Sequence, residues 1–153
     1  MRKYLALLAV SAMLWGTNAL AREFKEIPLP DDIEIVAPPD GLSPNFAFFL
    51  GAWEGKWGEE LNSILVITEI DDRGIVKGYY GWGSLGDVKP GYAEITGKIR
   101  PGGKNPNISV LRFKLKGGAL VAFFESIVGD GLGAKFILSE DNVSDGEFSK
   151  TEL

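Results

Sequence analysis

The stretch from Gly51 to Trp82 restricts the fold more than any other. It reads Gly-Ala-Trp-Glu-Gly-Lys-Trp, then a short acidic turn, then two β-rich runs joined by Asp71-Asp72-Arg73-Gly74. Trp53, Gly55 and Trp57 share one face of a strand, because side chains alternate with a period of two. Leu61 to Ile70, in contrast, is apolar on both faces. Such a hairpin has to be covered on its inner side. It therefore reads as the opening of a closed β-barrel, and a small barrel suggests binding within its mouth.

The rest of the chain repeats the theme. Strand-like runs and turn signals alternate at a spacing of roughly ten residues, the mark of an all-β meander. The runs are Trp53 to Trp57, Leu61 to Ile70, Ile75 to Trp82, Gly91 to Arg100, Asn107 to Lys116, Ala119 to Val128, Leu132 to Ser139 and a weak final one, Glu147 to Leu153. Gly117-Gly118 and Gly129-Asp130-Gly131 supply the positive φ angles of tight hairpins, so neighbouring strands are antiparallel. Ala93, Ile95, Gly97 and Ile99 face one way and Tyr92, Glu94, Thr96 and Lys98 the other, as a barrel wall with one wet face requires. Ser43-Pro44 followed by Phe46-Ala47-Phe48-Phe49-Leu50 and Gly51 predicts a short apolar helix with Ser43 at its N-cap, placed to close one barrel end. The expectation is an all-β, eight-stranded antiparallel up-and-down barrel with a short N-terminal helix, spanning 43–153.

Residues 1–21 read as an export signal. Arg2-Lys3 precedes an apolar run from Tyr4 to Trp15 and the small-residue pattern Ala19-Leu20-Ala21. That run is shorter than the roughly 20 residues a membrane-spanning helix needs, so no membrane span is expected after cleavage and the mature protein is expected to be periplasmic or secreted. Residues 22–42 carry Pro28, Pro30, Pro38 and Pro39 and cannot form a helix or a central strand. They read as an extended arm. As a proline-rich terminus it is expected to be a flexible leader, the alternative being that Ile33, Ile35 and Val36 lie on the barrel or on a partner.

Composition narrows the function. The chain has no cysteine and no histidine, which removes disulfides, His/Cys zinc sites and histidine-based catalysis. Loss of Arg2 and Lys3 with the signal takes the 16 basic residues to 14 against 21 acidic ones, and the net charge from −5 to −7. That disfavours nucleic acid as a partner. Leu61 to Ile70 and Ala119 to Val128 are apolar on both faces, so their outer faces call for the arm, a loop or a second copy as cover.

Gly51-Ala52-Trp53 after a short apolar helix resembles the opening of the lipocalins. Gly55-Lys56-Trp57, Leu61, Ser63, Arg73-Gly74 and Gly78-Tyr79-Tyr80 are similar to the first hairpin of the avidins. Both belong to the calycin barrels, and the match covers about thirty of the mature residues. The avidin positions matching Leu61, Ser63 and Tyr80 line the biotin pocket, so the resemblance implies a pocket there. The asparagine of that motif is replaced by Glu59, and no tryptophan follows Trp82, which argues against tight biotin binding.

Other motifs give less. Gly81-Trp82-Gly83-Ser84-Leu85-Gly86 spells a dinucleotide fingerprint, but the following Asp87-Val88-Lys89-Pro90 cannot start the helix that fingerprint needs, so a rim loop is expected. Glu125 stands among apolar neighbours, with Arg112 as the expected ion-pair partner. Asp141 to Glu147 gathers oxygen ligands around a glycine, though not at EF-hand spacing, and reads as a solvated turn, the alternative being a weak calcium site. Trp57, Tyr80 and Trp82 form either a ligand wall or plain core, and Gly78 is expected to leave space beside the rings. The expected function is non-catalytic binding of a small hydrophobic or amphipathic molecule by Trp57, Leu61, Ser63, Tyr80 and Trp82, without cofactor or metal. The alternative is a protein-interaction or inhibitor module, or a homo-oligomer, acting through the outer face.

Overall fold

The computed structural model describes residues 26–58, 60–126 and 129–153. The export signal expected over 1–21 lies outside these residues, as do arm residues 22–25, Glu59, Ile127 and Val128.

The alternating runs form eight strands: β1 (Gly51–Trp57), β2 (Leu61–Ile70), β3 (Ile75–Trp82), β4 (Gly91–Pro101), β5 (Ser109–Lys114), β6 (Leu120–Glu125), β7 (Leu132–Ser139) and β8 (Asn142–Thr151). Each pairs antiparallel with the next, and β8 returns to β1, so the sheet closes into the expected eight-stranded barrel. β2, β3 and β7 have the bounds that their side-chain pattern indicates. β8 begins at Asn142 rather than Glu147. Its first residues, 142–145, are all exposed, and Val143 is the one apolar side chain among them, so the strand there has no apolar face to reveal it.

Closure brings backbones close together at inward-facing glycines. A Cβ on Gly55 would lie 2.1 Å from the carbonyl oxygen of Glu147 on β8, and one on Gly78 only 1.9 Å from that of Val66 on β2. Gly78 sits beside the register irregularity between Ile67 and Glu69, where the wall bends. The space expected beside Gly78 is thus filled by the neighbouring strand.

The interior is packed with rings. Phe123 lies 4.9 Å from Phe148 and 6.0 Å from both Phe113 and Trp57, centroid to centroid. One end is closed by the segment before β1. Its helix α1 (Pro44–Ala47) is a single turn, held by the Ser43 carbonyl accepting from the amides of Phe46 and Ala47; the Ser43 side chain makes no cap, contrary to expectation. Phe49 is fully buried beneath it, its carbonyl accepting the Trp53 indole N–H at 3.0 Å, and Phe46, Phe48 and Leu50 pack against the same core.

The described arm is not the expected flexible leader: it packs on the barrel through Ile27, Leu29 and Ile33, while 34–41 are exposed. Ile27 is 1% exposed, in a second apolar cluster on the outside of the barrel with Ala52, Ile64 and Val66, onto which Leu29, Ile33 and Tyr79 pack. Gly81 forms part of its seat, since a Cβ there would come 2.7 Å from Ile27. Asn62 Nδ2 donates to Glu26 Oε1 at 3.2 Å and the Val36 amide to the Thr68 carbonyl at 2.8 Å, so the arm follows β2 from end to end. Of the three residues that the alternative reading places on the barrel or a partner, Ile33 packs on the barrel, whereas the side chains of Ile35 and Val36 are exposed. This explains why β2 is apolar on both faces. No helix among the described residues is long and apolar enough to cross a membrane.

Replacing a fully buried isoleucine by alanine removes its transfer energy and leaves a cavity. Ile27→Ala is expected to lower the stability of the mature protein by about 2–4 kcal/mol in urea denaturation. A change within about 0.5 kcal/mol would mean that the arm contributes nothing to the fold.

Candidate functional site

The five residues singled out in the sequence come together at the barrel end opposite α1. Trp57 closes β1 and stands opposite Leu61 on β2; Ser63 stands opposite Trp82 on β3, with Tyr80 one inward position deeper. Their exposure divides them into a floor and a rim. Trp57, Ser63 and Tyr80 are 6%, 0% and 2% exposed, whereas Leu61 and Trp82 are half-buried.

The floor is a hydrogen-bond chain. The Trp57 indole N–H donates to Tyr80 Oη at 2.7 Å, and Tyr80 Oη donates to Ser63 Oγ at 3.3 Å. In this arrangement Ser63 keeps its own hydroxyl proton and a lone pair for a further partner. Rings fix the chain in place: Trp57 meets Phe148, Phe136 and Phe123 edge-on at 5.4, 5.6 and 6.0 Å, and Tyr80 lies 5.9 Å from Phe113. Burial pushes the Tyr80 hydroxyl above the ordinary tyrosine value, against the opposing pull of its bonds to Ser63 and Trp57. Tyr80 is therefore a neutral hydrogen-bonding group at physiological pH rather than a base.

The rim is also held. The Trp82 indole N–H donates to the Lys89 carbonyl at 3.0 Å, and its ring lies on Gly91, where a Cβ would come within 2.8 Å. This ties the β3–β4 loop to the mouth. The loop carries a single bridge between Leu85 and Val88 and no helix, so the glycine-rich run 81–86 has no helix N-terminus for a pyrophosphate. Leu115 and Phe136, which sequence reasoning did not single out, complete the partly buried apolar lining. Phe136 continues the inward alternation Leu132, Ala134, Phe136, the signal that could have found it.

Other expected constellations do not form. Glu125 is exposed at the end of β6, and Arg112 stands opposite Ala122, so the two make no ion pair. The two had been matched by residue type, whereas the strand register decides which side chains meet. Asp141 to Glu147 is mostly strand, with Asp145 paired to Lys135 at 2.6 Å.

A cavity of about 280 Å³ lies at the α1 end, between the β6–β7 turn and β8, lined in part by Asp130, Leu132, Phe148 and Lys150. Lys150 continues the inward alternation of Gly146 and Phe148, donates to the Leu50 carbonyl and lies 4.1 Å from the Trp53 ring. Burial lowers its pKa. Its ammonium is thus engaged in closing the base. The cavity is a half-open groove lined mostly by polar residues, in which Leu132 and Phe148 are the large apolar side chains.

The chain matches no protein-family model, no curated protein and no solved structure. The eight-stranded antiparallel barrel is consistent with the calycin design.

Tyr80→Phe strands the buried Trp57 N–H without an acceptor, at an expected cost of about 1–3 kcal/mol. The raised pKa adds a pH signature. Stability from a neutral Tyr80 is complete below the unfolded tyrosine pKa of about 10 and is lost as pH rises through the higher folded value. Urea denaturation from neutral pH upward should show wild-type stability falling above about pH 10, with a shallower fall in Tyr80→Phe. Equal falls would show that Tyr80 is not the buried group described.

Proposed function

We propose that the protein is an exported, non-catalytic binding barrel of calycin type that takes a small, partly apolar molecule into the mouth between β1, β2 and β3. The observation that carries this reading is the buried Trp57–Tyr80–Ser63 chain beneath the half-exposed Leu61 and Trp82. Polar groups in an apolar interior cost free energy unless bonded, so a filled core would be built more simply without them. A chain that ends on a serine with a proton to give, under an apolar rim, suits a ligand with one polar end and an apolar body.

Because the interior below is packed with rings, the ligand occupies the mouth rather than a hollow barrel. Leu61 and Trp82 move apart to grip its apolar body, and its polar end then reaches Ser63, which is fully buried beneath them. Tyr80 and Trp57 act as positioning residues, holding the serine in place. Histidine and cysteine are absent from the sequence, and Tyr80 stays neutral at physiological pH, which favours binding over catalysis. The small-residue pattern at 19–21 supports a periplasmic or secreted location.

The test uses the fluorescent amphiphile 1-anilinonaphthalene-8-sulfonate. The mature protein should bind one equivalent with a blue shift, and Trp82→Ala should weaken that binding by about tenfold or more, as loss of a large aromatic contact implies, while circular dichroism shows an intact fold. Equal probe binding by a folded Trp82→Ala would contradict the mouth as the site.

A further inference from the structure

Charge is unevenly spread over the outer surface of this acidic protein. No lysine or arginine occurs between Glu26 and Gly55, and the arm there presents Asp31, Asp32, Glu34 and Asp40, all exposed. On the other side of the barrel, the outward face of β4 to β7 carries Lys98, Arg100, Arg112, Lys114 and Lys135 against one acid, Glu94.

The register makes the basic side a built surface. Lys98 stands directly opposite Arg112, Arg112 opposite Ala122, and Ala122 opposite Lys135. Like charges directly across a sheet are destabilising, so the fold alone gives no reason for the Lys98–Arg112 pair. Arg100, Arg112 and Lys114 make no ion pair among the described residues, and neither do Asp31, Asp32, Glu34 or Asp40. Between Arg112 on β5 and Lys135 on β7, the latter paired with Asp145, the outward side chains of β6, Leu120, Ala122 and Phe124, form an apolar strip. β6 is thus the second doubly apolar run, and the chain's own arm covers only the first, β2.

The exposed arm is the chemical complement of that wall. Asp31-Asp32-Ile33-Glu34-Ile35-Val36 interleaves acids with aliphatic residues, and Ile35 and Val36 are 41% and 50% exposed. We propose that the protein self-associates head to tail, the acidic outer side of one copy's docked arm seating on the basic wall of β4 to β7 of the next. Arm and wall lie on opposite sides of the barrel, since β2 and β6 are separated by three strands either way round. A two-fold dimer cannot pair both at once, and the contact propagates from copy to copy. It leaves the mouth at the barrel end free, so it stands independently of the proposed ligand site.

Charge reversal tests this with substitutions confined to exposed side chains. Sedimentation velocity of the mature protein should show species beyond dimer growing with concentration at about 50 mM NaCl and receding at about 500 mM, where screening is strong. Arg112→Glu with Lys114→Glu should give a monomer, and so should Asp32→Lys with Glu34→Lys. Mixing those two folded variants should restore association, because each then supplies the complement of the other. A wild-type monomer at both salt concentrations, or association that survives either reversal, would overturn the proposal. A wild-type monomer that instead binds a synthetic acidic peptide would also overturn it, moving the wall's partner from a second copy to another protein.

Discussion

Filling a closed cylinder of eight strands without disulfides is the constraint on which this structure depends. The sheet has no free edge, so it gains nothing more from pairing, and the interior must be occupied by side chains at near-crystalline density. Aromatic rings meet that demand from β1, β3, β5, β6 and β8 together, through Trp57, Tyr80, Phe113, Phe123 and Phe148. Such rings are too large to coexist with inward side chains at every position. Glycines at Gly55 and Gly78 let the backbones approach where the wall turns. The same packing fixes the orientation of the Trp57 indole, and with it the hydrogen-bond chain to Tyr80 and Ser63.

The two ends of the cylinder are finished differently. At one, Phe46 to Leu50 and Lys150 shut the base, with the lysine ammonium spent on a backbone carbonyl and an indole face. At the other, nothing comparable to α1 crosses the opening among the described residues, and the half-buried Trp82 ring packs beside Tyr80 with its indole N–H tied to the β3–β4 loop. Closure at one end and a polar-floored rim at the other give the molecule a direction. The outer surface is equally asymmetric, acidic where the arm lies on β2 and basic across β4 to β7.

Much of this was legible in the sequence because period-two alternation is a direct consequence of strand geometry. β2, β3 and β7 could be read to the residue, and the inward positions of Trp57, Ser63, Tyr80 and Trp82 followed from parity alone. Gly78 was misleading for a physical reason: a missing Cβ shows that something approaches closely, and the sequence does not say whether it is a ligand or a backbone. The arm was misjudged because prolines exclude regular structure without excluding packing, so Ile27 gave no local signal of its seat beside Gly81. β8 was hidden at its start, where the side chains are exposed. The Glu125–Arg112 pair failed because register, a property of two strands, cannot be read from either one.

The central claim is that the mouth above Ser63 is a ligand site. The most direct measurement is native mass spectrometry of the mature protein purified from its own host, under conditions gentle enough to keep non-covalent guests. The account predicts an added small-molecule mass at one per chain, lost in Trp82→Ala and weakened in Ser63→Ala. A bare chain mass in wild type, or an added mass retained unchanged by both variants, would contradict it.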